Sequence, residues 1–508
     1  MVAAGILLSR LVGLVRNRVF AHYFGTSDAA DAFNAAFRIP NFLQNLFGEG
    51  VLSASLIPVY ARLRAEGRSR EAAAVATAVA ALLGLTVSLL VLVGVLLAPW
   101  LIDLIAPGFE GAKRELTVRL VRILFPGAGL LALSAWCLGV LNSHRRFFLS
   151  YAAPVVWNVA IIVALVGFGG SRGQADLAVV AAWGSVAGSL LQLLVQLPTA
   201  LRVLDGLRPG PLLGPGARSV LRNFGPVFVG RGVVQISAYV DTLLASLLPT
   251  GAVAAVSYAQ VLYTLPVSLF GMSVSAAELP EMSSATGSGE ERAGYLRARL
   301  EAGLRQIAVL VVPSVAAFVL LGDVVTGALY QSGEFTRGMT NYVWAILAAA
   351  SIGLLPSTLA RLYASAFYAM HDTRTPLRIA LVRVAIGIAL GFGLALHLPG
   401  ALGVGAQWGA AGITLASGLA AAVEYALLRR ALGRRIGTTR LAGGLLVRIW
   451  PAAGLAAAAG WTVRAVLPPL HPIPQAALVL GVFGLVYFGA AVALGVPEAR
   501  RMLGRAAP

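Results

Sequence analysis

Read for its apolar and polar positions, the chain is a succession of long apolar runs separated by short polar loops. ALLGLTVSLLVLVGVLLAPWLIDLIA begins at Ala81 and ALVLGVFGLVYFGAAVAL at Ala477. Such runs approach or exceed the ~20 residues that carry a helix across a bilayer. Runs of this length do not read as the short alternating strands of a membrane barrel. The pattern predicts fourteen membrane-spanning helices, at about 2–23, 29–61, 72–106, 114–142, 147–168, 176–201, 219–248, 251–281, 297–329, 339–370, 377–397, 404–428, 443–466 and 475–495. Several are longer than a perpendicular crossing needs, so they tilt, kink or project. Pro40 and the Gly48–Gly50 pair fall inside the second span and predict a bend or break there.

Composition supports this all-α polytopic class. Of 508 residues, 58% are hydrophobic and only 12% charged, more apolar surface than a soluble fold of this size can hide. The net charge of +18 raises the question of nucleic acid. The distribution of the arginines answers it, because they sit in short loops between apolar runs. Loops that follow odd-numbered spans hold Lys113, Arg114, Arg172, Arg337 and Arg464. Loops that follow even-numbered spans, with the C-terminal tail, hold most of the remaining loop arginines, including Arg62, Arg64, Arg68 and Arg70 and the cluster from Arg429 to Arg448. By the positive-inside rule both termini are expected in the cytoplasm, in a bacterial cytoplasmic membrane. Met1 runs directly into the first apolar stretch, so either that stretch is its own targeting signal or the chain starts upstream. The lone Cys137 allows no intramolecular disulfide.

Two halves of the chain resemble each other at a nearly constant offset. GEGVLSASLIPVYARL near 48–63 parallels GMSVSAAELPEMSSA near 271–285, with Pro58 against Pro280. DLIAPGFE near 103–110 parallels ALYQSGEF near 328–335, and GLLALSAWCLGVLNSHRRFF from Gly129 parallels GLLPSTLARLYASAFYAMHD from Gly353. A repeat of six spans, an even number, keeps both copies in one orientation, related by an axis along the membrane normal. The expected domains are a first lobe at 1–203, a cytoplasmic linker at 204–218, a second lobe at 219–434, and two further spans with a basic tail at 435–508. Two six-helix lobes around a central cavity suggest alternating access.

The spans nonetheless carry charges, which are costly there and default to a functional reading. Arg18, Arg38, Arg119 and Glu424 fit snorkelling to the interface as well as any other role. Arg10 and Arg16 lie nearer mid-span. On an ideal helix they point about 120° apart, so both line one cavity only if the helix bends or is widely exposed, and Gly13 between them allows a bend. Arg16 either meets an anion or pairs with Asp31 or Glu49 to fix two helices. The guanidinium fork suits a phosphate or diphosphate headgroup. Enzyme motifs do not compete: the five histidines are scattered, there is no phosphate-binding loop, and the longest loops are too short for a catalytic domain.

SRLVGLVRNRVFAHYFG at 9–25 and DAFNAAFRIPNFLQNLFGEGVLSASLIPVYA at 31–61 resemble the MurJ/MviN family, the bacterial lipid II flippases. That family belongs to the superfamily of multidrug and toxin extruders and polysaccharide exporters. VDTLLAS at 240–246, LYQSGEFT at 329–336 and FYAMHDTRTP at 367–376 extend the resemblance over nearly the whole chain. The resemblance implies transfer of lipid-linked peptidoglycan precursor from the cytoplasmic to the outer leaflet. It implies no cofactor, with coupling to membrane potential or a monovalent cation, and partners among cell-wall synthesis or division proteins. It implies substrate-binding positions at Arg10, Arg16, Asp31, Gln44, Glu49 and Arg361, and a cation site at Asp241.

The sequence departs from the family pattern at several of these places. Asn17 stands where the family has an acid after the second arginine, Gln44 where it has a basic residue, and Gln260 and Val261 where it reads Asp-Arg. The loss of an acid beside Arg16 leaves that charge freer. The polar partners expected for Asp241 are replaced by Gly387 and Gly391. Competing readings are an exporter of another polyprenyl-diphosphate-linked glycan, a drug/cation antiporter centred on mid-membrane acids, and a non-transporting scaffold that binds precursor.

Overall fold

A computed structural model describes residues 2–502 apart from 48, 205, 209, 286–288, 440–442 and 469. Its side chains are further described apart from 2–4, 6, 44, 45, 49–51, 53, 54, 225–238 and 443. The regular structure is helical, with an isolated antiparallel bridge between Ser332 and Phe335. The chain divides into two compact units, residues 1–254 and 255–508.

The first unit holds α1 (Val2–Phe24), α2 (Asp28–Phe47), α3 (Glu49–Ala65), α4 (Ser69–Leu96), α5 (Ala98–Ile105), α6 (Gly111–Ser143), α7 (Phe147–Phe168), α8 (Gln174–Val203) and α9 (Pro215–Ser246). The second holds α10 (Ala252–Pro266), which starts just before the boundary, then a π-helical turn (Val267–Met272), α11 (Ser273–Ser283), α12 (Gly289–Leu320), α13 (Gly322–Tyr330), α14 (Arg337–Ser351) and α15 (Leu354–Ala369). It ends with α16 (Arg374–Phe392), a second π-helical turn (Gly393–His397), α17 (Leu398–Ala401), α18 (Gly409–Ile436), α19 (Gly443–Val466), α20 (Pro472–Ala493) and α21 (Pro497–Met502).

Among the described residues ten helices are long and apolar enough to cross a membrane, or eleven if α14 and α15, bent by 44°, count as one span. The other three of the fourteen expected spans are α1, whose arginines lower its hydropathy, the α2–α3 pair, and α9. In the second span α2 runs unbroken through Pro40 as far as Phe47, and Gly48 lies outside the described residues. The third and ninth spans are interrupted at Leu97 and at Leu321, at the spacing of the internal repeat. A break that recurs at the repeat distance is a property of the duplicated unit.

Apolar packing forms a core in each unit. In the first, Leu56 of α3, Trp136 and Leu141 of α6 and Leu193 of α8 pack with α4. Buried polar groups join the helices between them: Gln192 donates to the Ser134 hydroxyl at 3.0 Å, and that hydroxyl donates to Gln196 at 3.2 Å. Such bonds across helices substitute for water inside a bilayer. Cys137 is fully buried in this core. In the second unit α19 and α20 pack on α12 and α13. The Tyr487 hydroxyl donates to Val309 O at 2.6 Å, and Arg464 pairs with Asp323 at 2.5 Å. The last two spans are therefore fastened to the second unit.

A close backbone contact sits at the bend between α14 and α15. A Cβ on Gly353 would overlap the backbone of Gly418 on α18, so only glycine lets the two chains touch. Gly353→Val is expected to lower the thermal unfolding temperature in detergent, with a cost of about 1–3 kcal/mol from overpacking. Gly454→Ala, where an added Cβ meets nothing within 4 Å, should leave it unchanged.

The motif around Asp372 is a helix start. Its carboxylate accepts the backbone N–H groups of Arg374 and Thr375 at 3.0 Å and the Thr375 hydroxyl at 2.6 Å, and it pairs with Arg435 at 2.6 Å. The Thr375 bonds, then Arg435, hold this carboxyl down to about 2. A depressed carboxyl contributes stability that is full above its unfolded value of about 3.9 and lost as pH falls toward the folded value. The stability difference between wild type and Asp372→Asn should therefore shrink as unfolding is measured from pH 5 down to pH 3.

Candidate functional site

The first helix supplies the central arginine. α1 packs on α7, with Gly5 against Tyr151 and Gly13 near Asn158. This close approach lays the Arg16 guanidinium over the indole of Trp157, 4.9 Å from its centroid. Arg16 also donates from Nε and Nη2 to the side-chain oxygen of Asn17, at 3.3 and 2.8 Å. The indole is itself fixed, because Trp157 Nε1 donates to the backbone and hydroxyl oxygens of Ser185 on α8, both at 3.1 Å. Phe37 of α2 stacks on it at 5.9 Å. Four helices thus hold one half-buried guanidinium in place. Asn17 orients the fork and adds no formal charge.

Arg10 is placed differently. α1 is a single α-helix from Val2 to Phe24, on which Arg10 and Arg16 point about 120° apart. Arg10 is exposed beside the exposed Leu7 and Leu11. Arg18 is half-buried.

Asp31 sits in a third environment. It is only 1% exposed. One oxygen accepts from Lys113 Nζ and from Gly251 N, both at 2.7 Å, and the other accepts from Ala254 N at 2.8 Å. It thus caps the opening turn of α10, where partial positive charge accumulates. Lys113 also reaches Asp28 at 2.9 Å, and Thr250 donates to Asp28 at 2.9 Å. The pairing of Arg16 with Asp31 held open by the sequence does not form, since Asp31 is committed to a lysine and two backbone amides. The side chains of Gln44 and Glu49 lie outside the described residues, as does that of Arg231.

Asp241 lies in the field of Arg38, whose carbonyl accepts from the Tyr239 hydroxyl at 3.3 Å. A guanidinium already acts on this carboxylate, and no group of three or more His, Cys, Asp or Glu that could hold a metal ion occurs among the described residues.

In the second unit Arg361 is exposed on α15, within electrostatic reach of Arg383, Glu424 and Tyr263. Arg383 and Glu424 pair at 2.9 Å between α16 and α18, and Tyr263 bonds Ser357 at 2.8 Å. Two arginines against one glutamate leave this group cationic. Gln260 is exposed and donates to Thr264 at 3.3 Å, so the altered position here is polar but neutral.

Trp157, Ser185 and Lys113 were missed by sequence reasoning. Nothing local distinguishes the first two. Lys113 had a signal, because it is the one lysine in a chain that uses arginine at every other basic position.

A multi-span helical protein with two duplicated units and positioned arginines in its membrane helices has the build of a transporter of the multidrug/oligosaccharidyl-lipid/polysaccharide type. The fold agrees: a solved structure described as lipid II flippase MurJ in an inward closed conformation superposes with TM-score 0.80 over 99% of each chain at 22% identity. An inward-facing multidrug transporter of the same superfamily gives 0.65 over 85% of this chain and 96% of that one, at 17% identity. Residues 20–468 match the family described as lipid II flippase MurJ, and the chain belongs to that family. A lipid II flippase MurJ of Burkholderia cenocepacia is 33% identical over 95% of this chain and 94% of its own. A probable lipid II flippase of Haemophilus influenzae is 31% identical over 84% of each.

Proposed function

We propose that the protein flips lipid-linked peptidoglycan precursor, lipid II, from the cytoplasmic to the outer leaflet of the bacterial inner membrane by alternating access. The family match over residues 20–468 carries this reading. It is a transporter and not an enzyme. Both termini lie in the cytoplasm, in line with the excess of arginine in the loops that follow even-numbered spans.

Arg16 is the principal diphosphate contact and Arg10 a second, separate one. The fork of Arg16 is already held by Trp157 and Asn17, so little side-chain freedom is lost when phosphate oxygens arrive. The cationic group around Arg361 supplies a further anion contact. Gln44 and Glu49 stay in the proposed substrate set on the resemblance alone, and Asp31 supports the site through Lys113 and the start of α10. A membrane potential biases movement of charge by about 2.3 kcal/mol per elementary charge per 100 mV, which can drive the cycle without a dedicated cation site.

An antiporter centred on mid-membrane acids is disfavoured by the ion pairs. Asp31 pairs with Lys113, Glu278 with Arg299 and Glu424 with Arg383. The test is rescue of a flippase-depleted bacterium. Wild type should restore growth and outer-leaflet lipid II, whereas Arg10→Ala and Arg16→Ala at equal membrane levels should not. A wild-type protein present in the membrane that fails to rescue would move the substrate to another polyprenyl-diphosphate-linked glycan.

A further inference from the structure

An open groove of about 460 Å³ runs between the N-terminal parts of α6 and α8. Val118 and Ile123 of α6 and Trp183 of α8 wall it, and Arg119 and Arg122 stand along it. Glu115, Arg119 and Arg122 are all exposed and share one face of α6 at i, i+4 and i+7. Arg114 closes the end of the groove but is committed to Asp103 at 2.6 Å. Lys113 is likewise committed to Asp28 and Asp31. Arg119 and Arg122 differ, because neither has a hydrogen-bond or ion-pair partner among the described residues. Glu115 offsets only one of their two charges.

Depth in the membrane gives these cations their meaning. From Ile123 to Leu141 α6 carries no charged residue. At ~1.5 Å per residue this stretch covers roughly the 30 Å of a hydrocarbon core. Arg122 therefore stands at the boundary of that core and Arg119 one turn further out, at headgroup level. Trp183 is 58% exposed on the neighbouring helix, and tryptophan is the residue enriched at that boundary. Below it Leu190 and Leu194, 44% and 48% exposed, continue the same face of α8 into the core. Two uncommitted guanidinium groups at headgroup level above an apolar track match a phosphate carried on acyl chains.

We propose that this groove binds the phosphodiester headgroup of an anionic glycerophospholipid. Arg119 and Arg122 hold the phosphate, Trp183 flanks the glycerol region, and the acyl chains follow Leu190 and Leu194. The site is separate from Arg10, Arg16 and Arg361, and its test does not depend on transport.

The full-length protein in detergent micelles is titrated with phosphatidylglycerol or phosphatidylcholine and examined by native mass spectrometry. Wild type should retain phosphatidylglycerol at least fivefold over phosphatidylcholine. Arg119→Gln/Arg122→Gln should lose that preference, with an unchanged unfolding temperature in lipid-free detergent, and Arg337→Gln should keep it. Equal retention of the two lipids by wild type, or an undiminished preference in the double variant, would overturn the proposal. So would displacement of bound phosphatidylglycerol by an equimolar polyprenyl diphosphate, which would give the groove to the transported lipid.

Discussion

Arg16→Ala is expected to abolish rescue of a flippase-depleted bacterium while the protein persists in the membrane at wild-type level. The substitution removes the charge, the bidentate fork and the stack on Trp157 together. Charge-assisted hydrogen bonds contribute about 1.5–3 kcal/mol each, and 1.4 kcal/mol is a factor of ten. Losing two to a diphosphate predicts at least a hundredfold slower lipid II translocation. Arg16→Lys keeps the charge but loses the planar fork, so partial rescue is expected. Trp157→Leu leaves the charge and loosens its position. A cation–π contact of about 0.5–1 kcal/mol predicts a two- to fivefold loss, read as the rate of lipid II appearance in the outer leaflet. Normal rescue by Arg16→Ala would remove this arginine from the mechanism.

Asp31→Ala is expected to fail for a different reason, through loss of folded protein. Removing one partner of a buried ion pair costs about 3–5 kcal/mol. Here the same carboxylate also satisfies the N–H groups of Gly251 and Ala254. Lys113→Met should be comparably damaging, because it leaves a carboxylate that is 1% exposed without its cation. Lys113→Arg is not conservative either, since a compact ammonium spans Asp28 and Asp31 at once and the larger planar fork does not fit the same space. Thermal unfolding in detergent, without any lipid II, is the deciding measurement. An Asp31→Ala protein with wild-type stability but no rescue would return Asp31 to substrate contact.

The architecture was legible because its signals are local or repeated. Apolar run length marked the spans and the duplicated segments carried the repeat, but the helix breaks at Leu97 and Leu321 were not among the expectations. The site was legible only as a set of residue types. Arg16 was singled out by the cost of a charge at mid-span, but its platform lies at position 157, on a helix that offers no local clue to that pairing. Asp31 was placed among the substrate contacts by resemblance. Its partners are 82 and 220 positions away along the chain, and only the folded unit brings them together. Arg10 and Arg16 looked equivalent in sequence. The unbroken α1 separates them, one against an indole and the other among exposed leucines.

The enclosure of Cys137 has a practical consequence. A thiol with no exposed surface inside a helix core is inert to water-borne reagents, so the natural chain behaves as a cysteine-free background. Single cysteines introduced into the loops can be tagged from one side of a sealed cell or vesicle at a time. The sidedness of each loop, and its change as the transporter turns over, can then be followed in the unaltered protein without first rebuilding its core.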